Sequence, residues 1–147
     1  MRFRARDPHP YMAQANSKQW LGALSYIRKL GPEIIVPGHG AMCRAEDTEP
    51  LSEYIRLVRR RVRTCFRKGY TKQETASSLV KSLVPLFPIP SERRSKIESQ
   101  IKQGINRVYN EYKKSENGKK RGDVHDEDAD HTDRLDVETD EEGESEE

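Results

Sequence analysis

A dense acidic run at the C-terminal end most strongly limits what this chain can fold into. Residues 123–147 contain fourteen acidic side chains, one arginine and almost nothing apolar. Such a segment cannot bury enough apolar surface to offset the entropy lost on ordering. We therefore predict a disordered acidic tail over residues 116–147 and place the folded part of the chain within residues 1–115.

The remainder of the chain is basic. Residues 1–122 hold 26 of the 27 basic residues and only 11 of the 25 acidic ones. Because only 33% of the chain is hydrophobic, the core is expected to be small or shared with another polypeptide. Two cysteines do not form a disulfide framework, and no secretory leader or long apolar span is evident, so we expect a cytoplasmic protein with free thiols.

Apolar residues at helical spacing predict four amphipathic helices. They are expected within residues 16–30, from about 50 to 68, from 71 onward, and after 91. Asn16 or Ser17 can cap the first helix, and the residues leave that choice open. Thr71 and Glu74 form the pattern of a capping box at the start of the third helix.

The stretch from Glu33 to Cys43 reads EIIVPGHGAMC and connects the first two helices. Its β-branched run predicts a buried strand that ends at Pro37, and helix, strand and glycine-rich turn in this order indicate an α/β unit. Gly38 and Gly40 permit positive φ on both sides of His39, so the imidazole can project into a cleft as a metal ligand. A lone histidine more often only caps a turn, and the residues alone leave that interpretation open.

Four features follow one another in the sequence: the first helix, the sequence IIVPGHG, a long helix, and a further helix that starts at Gly-Tyr-Thr. In this order they resemble the C-terminal part of the metallo-β-lactamase-fold hydrolases, nearest to the glyoxalase II-like branch. The resemblance covers about residues 10–115 and is most specific at Pro37 to Gly40. It implies a partial αββα sandwich of the α/β class, mostly helical in this chain. It also implies metal-dependent hydrolysis of an ester, thioester, amide or phosphodiester, with a small-molecule substrate.

By the same resemblance, His39 matches the final histidine ligand of the family, and Gly38 and Gly40 shape the site. The metal would be zinc or another divalent ion, with one or two ions in the intact fold. The other ligands of the family should precede His39, where Asp7 and His9 are the only candidates and neither fits the pattern. We therefore expect a fragment that is inactive alone, binds metal weakly, and has a missing N-terminal half or a second copy as its partner.

A second class of function is indicated by the arginines of the second helix. Arg56, Arg59, Arg60 and Arg63 can neutralise phosphates, which predicts a nucleic-acid or anion-binding module modulated by the acidic tail. The same arginines can instead form the solvated face of an amphipathic helix, and nucleic acid is the less favoured partner. No membrane partner is expected. A hydrolase would be sensitive to chelators, whereas a phosphate-binding module would be sensitive to salt.

Overall fold

The computed structural model describes residues 9–120, with side chains through residue 118. This part of the chain forms α1 (Ser17–Leu30), α2 (Glu49–Arg67), α3 (Lys72–Leu83) and α4 (Arg94–Lys120), with 3₁₀ turns at Glu46–Thr48, Val84–Leu86 and Ser91–Arg93. No β-strand occurs within residues 9–120. None of the helices in this range is both long enough and apolar enough to cross a bilayer.

The partial α/β sandwich expected from the sequence is therefore wrong for the described residues. Where a strand is predicted, Ile35 forms one isolated antiparallel bridge with Cys43. A strand needs a neighbour to accept its ladder hydrogen bonds, and residues 9–120 provide no other extended segment that pairs with this one. The β-branched residues Ile34 and Val36 are consequently exposed rather than buried.

The N-terminus of α1 is capped by Asn16 rather than by Ser17. The Asn16 side-chain oxygen accepts a hydrogen bond from the backbone N–H of Gln19 at 3.0 Å. At the other end, Gly31 adopts a left-handed conformation with φ 62°, and its N–H donates to the Arg28 carbonyl. This assignment leaves the Ser17 side chain available for contacts with other helices.

The capping box predicted at the start of α3 is confirmed. The backbone N–H of Glu74 donates to Thr71 Oγ1 at 3.2 Å, and the Thr71 N–H donates to Glu74 Oε2 at 2.8 Å. The hydrogen bonds from Thr71 lower the pKa of the Glu74 carboxyl, because they stabilise its ionised form.

The last helix extends beyond the boundary predicted for the folded part. α4 has 27 residues and continues to Lys120, so residues 116–120 are helical rather than part of a disordered tail. This stretch reads Glu-Asn-Gly-Lys-Lys, so its three straight-chain residues favour the helix whereas Asn117 and Gly118 disfavour it. Residues 121–147, which contain the acidic run, lie outside the described residues.

The core lies between α2, α3 and α4. Its fully buried aliphatic residues are Ile55, Val58, Val62, Leu83, Ile101, Ile105 and Val108. α2 and α4 run in the same direction, since Tyr54 and Ile101 lie around the same shallow depression at one end and Phe66 contacts Tyr109 near the other end. The segment before α1 closes one side of this core through Met12, which is 2% exposed.

Candidate functional site

The turn that carries His39 is held at its base by the isolated bridge. The Ile35 N–H donates to the Cys43 carbonyl at 2.7 Å, and the Cys43 N–H donates to the Ile35 carbonyl at 3.0 Å. Between these residues, Gly40 adopts φ 104°, a region that side chains rarely enter. The bridge and this glycine together fix the path of the chain around Pro37 to Gly40.

His39 is exposed at this turn and makes no hydrogen bond or ion pair with residues 9–118. Gly38 does not adopt a positive φ, and a Cβ added there would meet no atom within 4 Å. The conformation of the chain therefore requires glycine at position 40 but not at position 38. The open space beside Gly38 leaves room for a further group to approach His39.

The described residues do not form a metal centre by themselves. Within residues 9–120, no group of three or more histidine, cysteine, aspartate or glutamate side chains is arranged to hold an ion. Cys43 is a free thiol at the base of the turn and is half-buried. A catalytic zinc needs about three protein ligands, so His39 and the other residues of this range do not complete such a site by themselves.

The other candidate ligands do not join His39. Asp7 lies outside the described residues. His9 packs edge-on against Phe87, with ring centroids 4.8 Å apart, and also against Tyr54 at 6.2 Å. Burial lowers the pKa of His9 to about 4, which keeps the ring neutral near pH 7. The half-buried His9 therefore packs as a neutral ring against the aromatic residues at the edge of the core.

Apolar side chains flank the turn in the sequence and are exposed to an unusual degree. Ile34 is 65% exposed, Val36 76% and Met42 71%. Two side chains of α1, Tyr26 and Leu30, are also largely exposed. Several large apolar groups near one turn usually mark a surface that another structure covers.

The arginines of α2 that the sequence indicates for anion binding have different environments. Arg56 donates to Glu49 at 2.9 Å, and Arg59 donates to Glu111 of α4 at 3.2 Å. Arg60 and Arg63 make no side-chain hydrogen bond or ion pair with residues 9–118. Two of the four candidate arginines are thus engaged within the domain, and two have no partner in this part of the chain.

Sequence reasoning missed the group of residues around Glu111. The backbone N–H of Ser17 donates to Glu111 Oε1 at 2.9 Å, and the Ser17 hydroxyl donates to Oε2. Arg59 donates to the same serine oxygen and lies over the Tyr112 ring, 5.3 Å from its centroid. No local pattern indicates this cluster, because Ser17, Arg59 and Glu111 are separated by 42 to 94 positions in the sequence.

Comparison of the chain with protein-family models, with curated proteins and with solved structures finds no match in any of the three.

Proposed function

We propose that this chain is part of a metal-dependent hydrolase and supplies one metal ligand, His39, while a polypeptide beyond this chain supplies the others. The proposal rests on the resemblance of the Pro37 to Gly40 sequence to the metallo-β-lactamase-fold hydrolases. The observation that carries it is the exposed His39 on a turn fixed by the Ile35–Cys43 bridge. A neutral imidazole presented in this way is an effective nitrogen ligand for zinc.

The surroundings of the turn support an incomplete site. Ile34, Val36 and Met42 are each more than 60% exposed, and their burial against a further polypeptide would be favourable by roughly 25 cal/mol per Å² of apolar area. The space beside Gly38 would admit groups from that polypeptide next to the imidazole. The substrate class stays that of the resembled family, an ester, thioester, amide or phosphodiester.

The first test is the size of the polypeptide in its native cells, detected with an antibody to residues 20–43. We expect a species clearly heavier than 17.0 kDa. That species, purified, should contain zinc or a similar divalent ion and should hydrolyse a generic ester or bis-p-nitrophenyl phosphate. A native species of 17.0 kDa without an associated polypeptide would contradict the proposal.

The second test is His39→Ala in the heavier species. Loss of one ligand should lower metal affinity and turnover by at least about tenfold. Replacing a residue that only orients a metal ligand typically lowers them by about 10- to 100-fold, and loss of the ligand itself has a larger effect. His9→Phe is the control, because His9 packs against Phe87 and its replacement should change neither metal affinity nor turnover. Unchanged metal content and turnover in His39→Ala would refute the role of this residue. Metal-dependent hydrolysis by the 147-residue chain alone would instead refute the need for outside ligands.

A further inference from the structure

The basic residues of α2 divide into two groups. The helix contains six arginines, all between Arg56 and Arg67. Three arginines are used inside the domain: Arg56 bonds to Glu49, Arg59 to Glu111 and Arg61 to Ser82. These three stabilise contacts within and between helices, and they are not available to a ligand without loss of those contacts.

Arg60, Arg63 and Arg67 form the second group, which we call the arginine row. None of their side chains makes a hydrogen bond or ion pair with residues 9–118. Spacings of three and four place them on one face of the helix, along about 10 Å of its length. The fully buried Val58 and Val62 lie on the opposite face, so the arginine row points away from the core.

An anion on this row would relieve a local repulsion. Like charges three and four positions apart on a helix repel each other and destabilise it, and the described residues provide no acid that pairs with these three arginines. The row also lies toward the C-terminal end of α2, where the helix dipole favours cations. The arrangement tolerates the arginines but leaves their charges without a fixed counterion.

The C-terminal half of α4 lies beside this part of α2. The Phe66 ring contacts Tyr109 and Tyr112, with centroids 5.1 and 6.4 Å apart, and the Tyr109 hydroxyl donates to the Tyr70 carbonyl at 2.9 Å. From Tyr112, α4 continues only to Lys120, roughly 12 Å further along its axis. The acidic run begins three residues later, at Asp123.

We propose that the arginine row is the docking surface for the acidic segment of the same chain, residues 123–147. This segment carries fourteen acidic groups against one arginine, so its charge complements the row. Fully extended, it reaches up to about 80 Å, far more than the distance back along α4 to the row. Attachment to the same chain raises its effective concentration to about the millimolar range, which makes a weak electrostatic contact populated at low salt.

Docking of the acidic segment would prevent other polyanions, including nucleic acid, from binding the arginine row. The contact is electrostatic, so it should persist at low ionic strength and disappear when the screening length falls to a few ångströms. The inference is independent of the proposed hydrolase function, because it involves neither His39 nor a metal.

The test uses the full chain with a nitroxide attached at Ser145→Cys, in a Cys43→Ser background. Cys65 is 8% exposed and should remain unlabelled. At about 20 mM salt, the amide signals of residues 60–68 should be broadened by the spin label to less than half their diamagnetic intensity, and at about 500 mM salt they should recover.

Two triple variants distinguish docking on the arginine row from a general attraction of the acidic segment to the positive charge of the folded part. Replacing Arg60, Arg63 and Arg67 with serine should abolish the broadening at low salt. The matched control replaces Lys72, Lys81 and Lys102 with serine, which removes the same charge from exposed positions on α3 and α4. The control should retain the broadening. All six side chains are exposed or half-buried, and circular dichroism should show the helix content of the parent in both variants.

Three results would overturn the proposal. The first is no broadening of residues 60–68 at low salt. The second is an equal reduction by the two triple variants, which would indicate attraction to net charge alone. The third is binding of a single-stranded oligonucleotide to the row of the full chain at low salt without release of the acidic segment, which would assign the row to nucleic acid instead.

Discussion

The carboxylate of Glu111 joins three helices at one point. Ser17 of α1 and Arg59 of α2 both donate hydrogen bonds to this side chain of α4, at 2.9 Å from the Ser17 N–H and 3.2 Å from Arg59. The side chains of Arg59 and Glu111 are 19% and 17% exposed, so water screens their attraction only partly. Arg59 therefore acts as a structural residue.

Glu111→Ala should destabilise the protein by about 2 kcal/mol, because it leaves the Ser17 N–H without its acceptor and Arg59 without its anionic partner. Glu98→Ala is the matched control, since Glu98 lies on the same helix and pairs with Arg94 at an exposed site. That pair should contribute no more than about 0.5 kcal/mol. Urea unfolding measures both variants, and equal midpoints would contradict the structural role assigned to Glu111.

A second residue-scale feature is the imidazole of His9, a half-buried residue. Both ring nitrogens are shielded from solvent and have no hydrogen-bond partner among the described residues. Burial lowers the pKa of His9 to about 4, from an ordinary value of 6.5. As the pH falls below 6.5, the unfolded chain takes up the proton while the folded protein does not, so stability decreases progressively until about pH 4.

We therefore expect the melting temperature to fall by several degrees between about pH 7.5 and pH 5 in the parent protein. His9→Phe keeps a ring against Phe87 but cannot be protonated, so its melting temperature should change much less over the same interval. Differential scanning calorimetry at the two pH values provides the comparison. A parallel decrease in both proteins would assign the pH dependence to other groups.

At the scale of elements, helix ends follow local chemistry closely. The α3 capping box was predictable because Thr71 and Glu74 satisfy each other's backbone donors within one turn. The N-cap of α1 was not decided by sequence, because Asn16 and Ser17 are both good caps. Contact with Glu111 uses Ser17 and leaves the cap to Asn16.

Two glycines of the α1 region form a matched pair for testing backbone conformation. A Cβ would meet no atom within 4 Å at either Gly22 or Gly31, but Gly31 has φ 62°. Gly22→Ala should stabilise the protein by up to about 1 kcal/mol, because alanine has the higher helix propensity. Gly31→Ala should destabilise it by about 1 kcal/mol, because alanine is strained in that conformation. Thermal unfolding of both variants should show opposite shifts, and shifts of the same sign would contradict this account.

At the scale of the whole molecule, the most unusual feature is a set of large apolar residues that are not packed against the core. The α2–α3–α4 core buries its aliphatic residues, whereas Ile34, Val36 and Met42 remain outside it. The EIIVP run thus has the sequence of a buried strand, but no strand forms there within residues 9–120. A covering polypeptide, or a second copy, would be required to bury it.

The purified 147-residue chain should therefore self-associate as its concentration rises. Val36→Ser with Met42→Ser should shift the distribution toward monomer, because both changes remove apolar area from the exposed segment. Tyr70→Ser is the control, since Tyr70 is 43% exposed elsewhere and should leave association unchanged. Light scattering coupled to size exclusion measures the mass, and a monomeric parent at high concentration would contradict the expectation.

Short-range patterns were sufficient to predict the four helices, the α3 capping box and the position of the Pro37–Gly40 turn, because spacing, caps and glycines act over a few residues. Long-range packing was needed to establish that Ile34 to Val36 form no strand, that Arg59 pairs with Glu111 and that the ring nitrogens of His9 are buried. A strand, an interhelical ion pair and a buried imidazole each depend on groups distant in the chain. Their local sequence is therefore compatible with more than one structure, and the neighbours that the fold provides select among them.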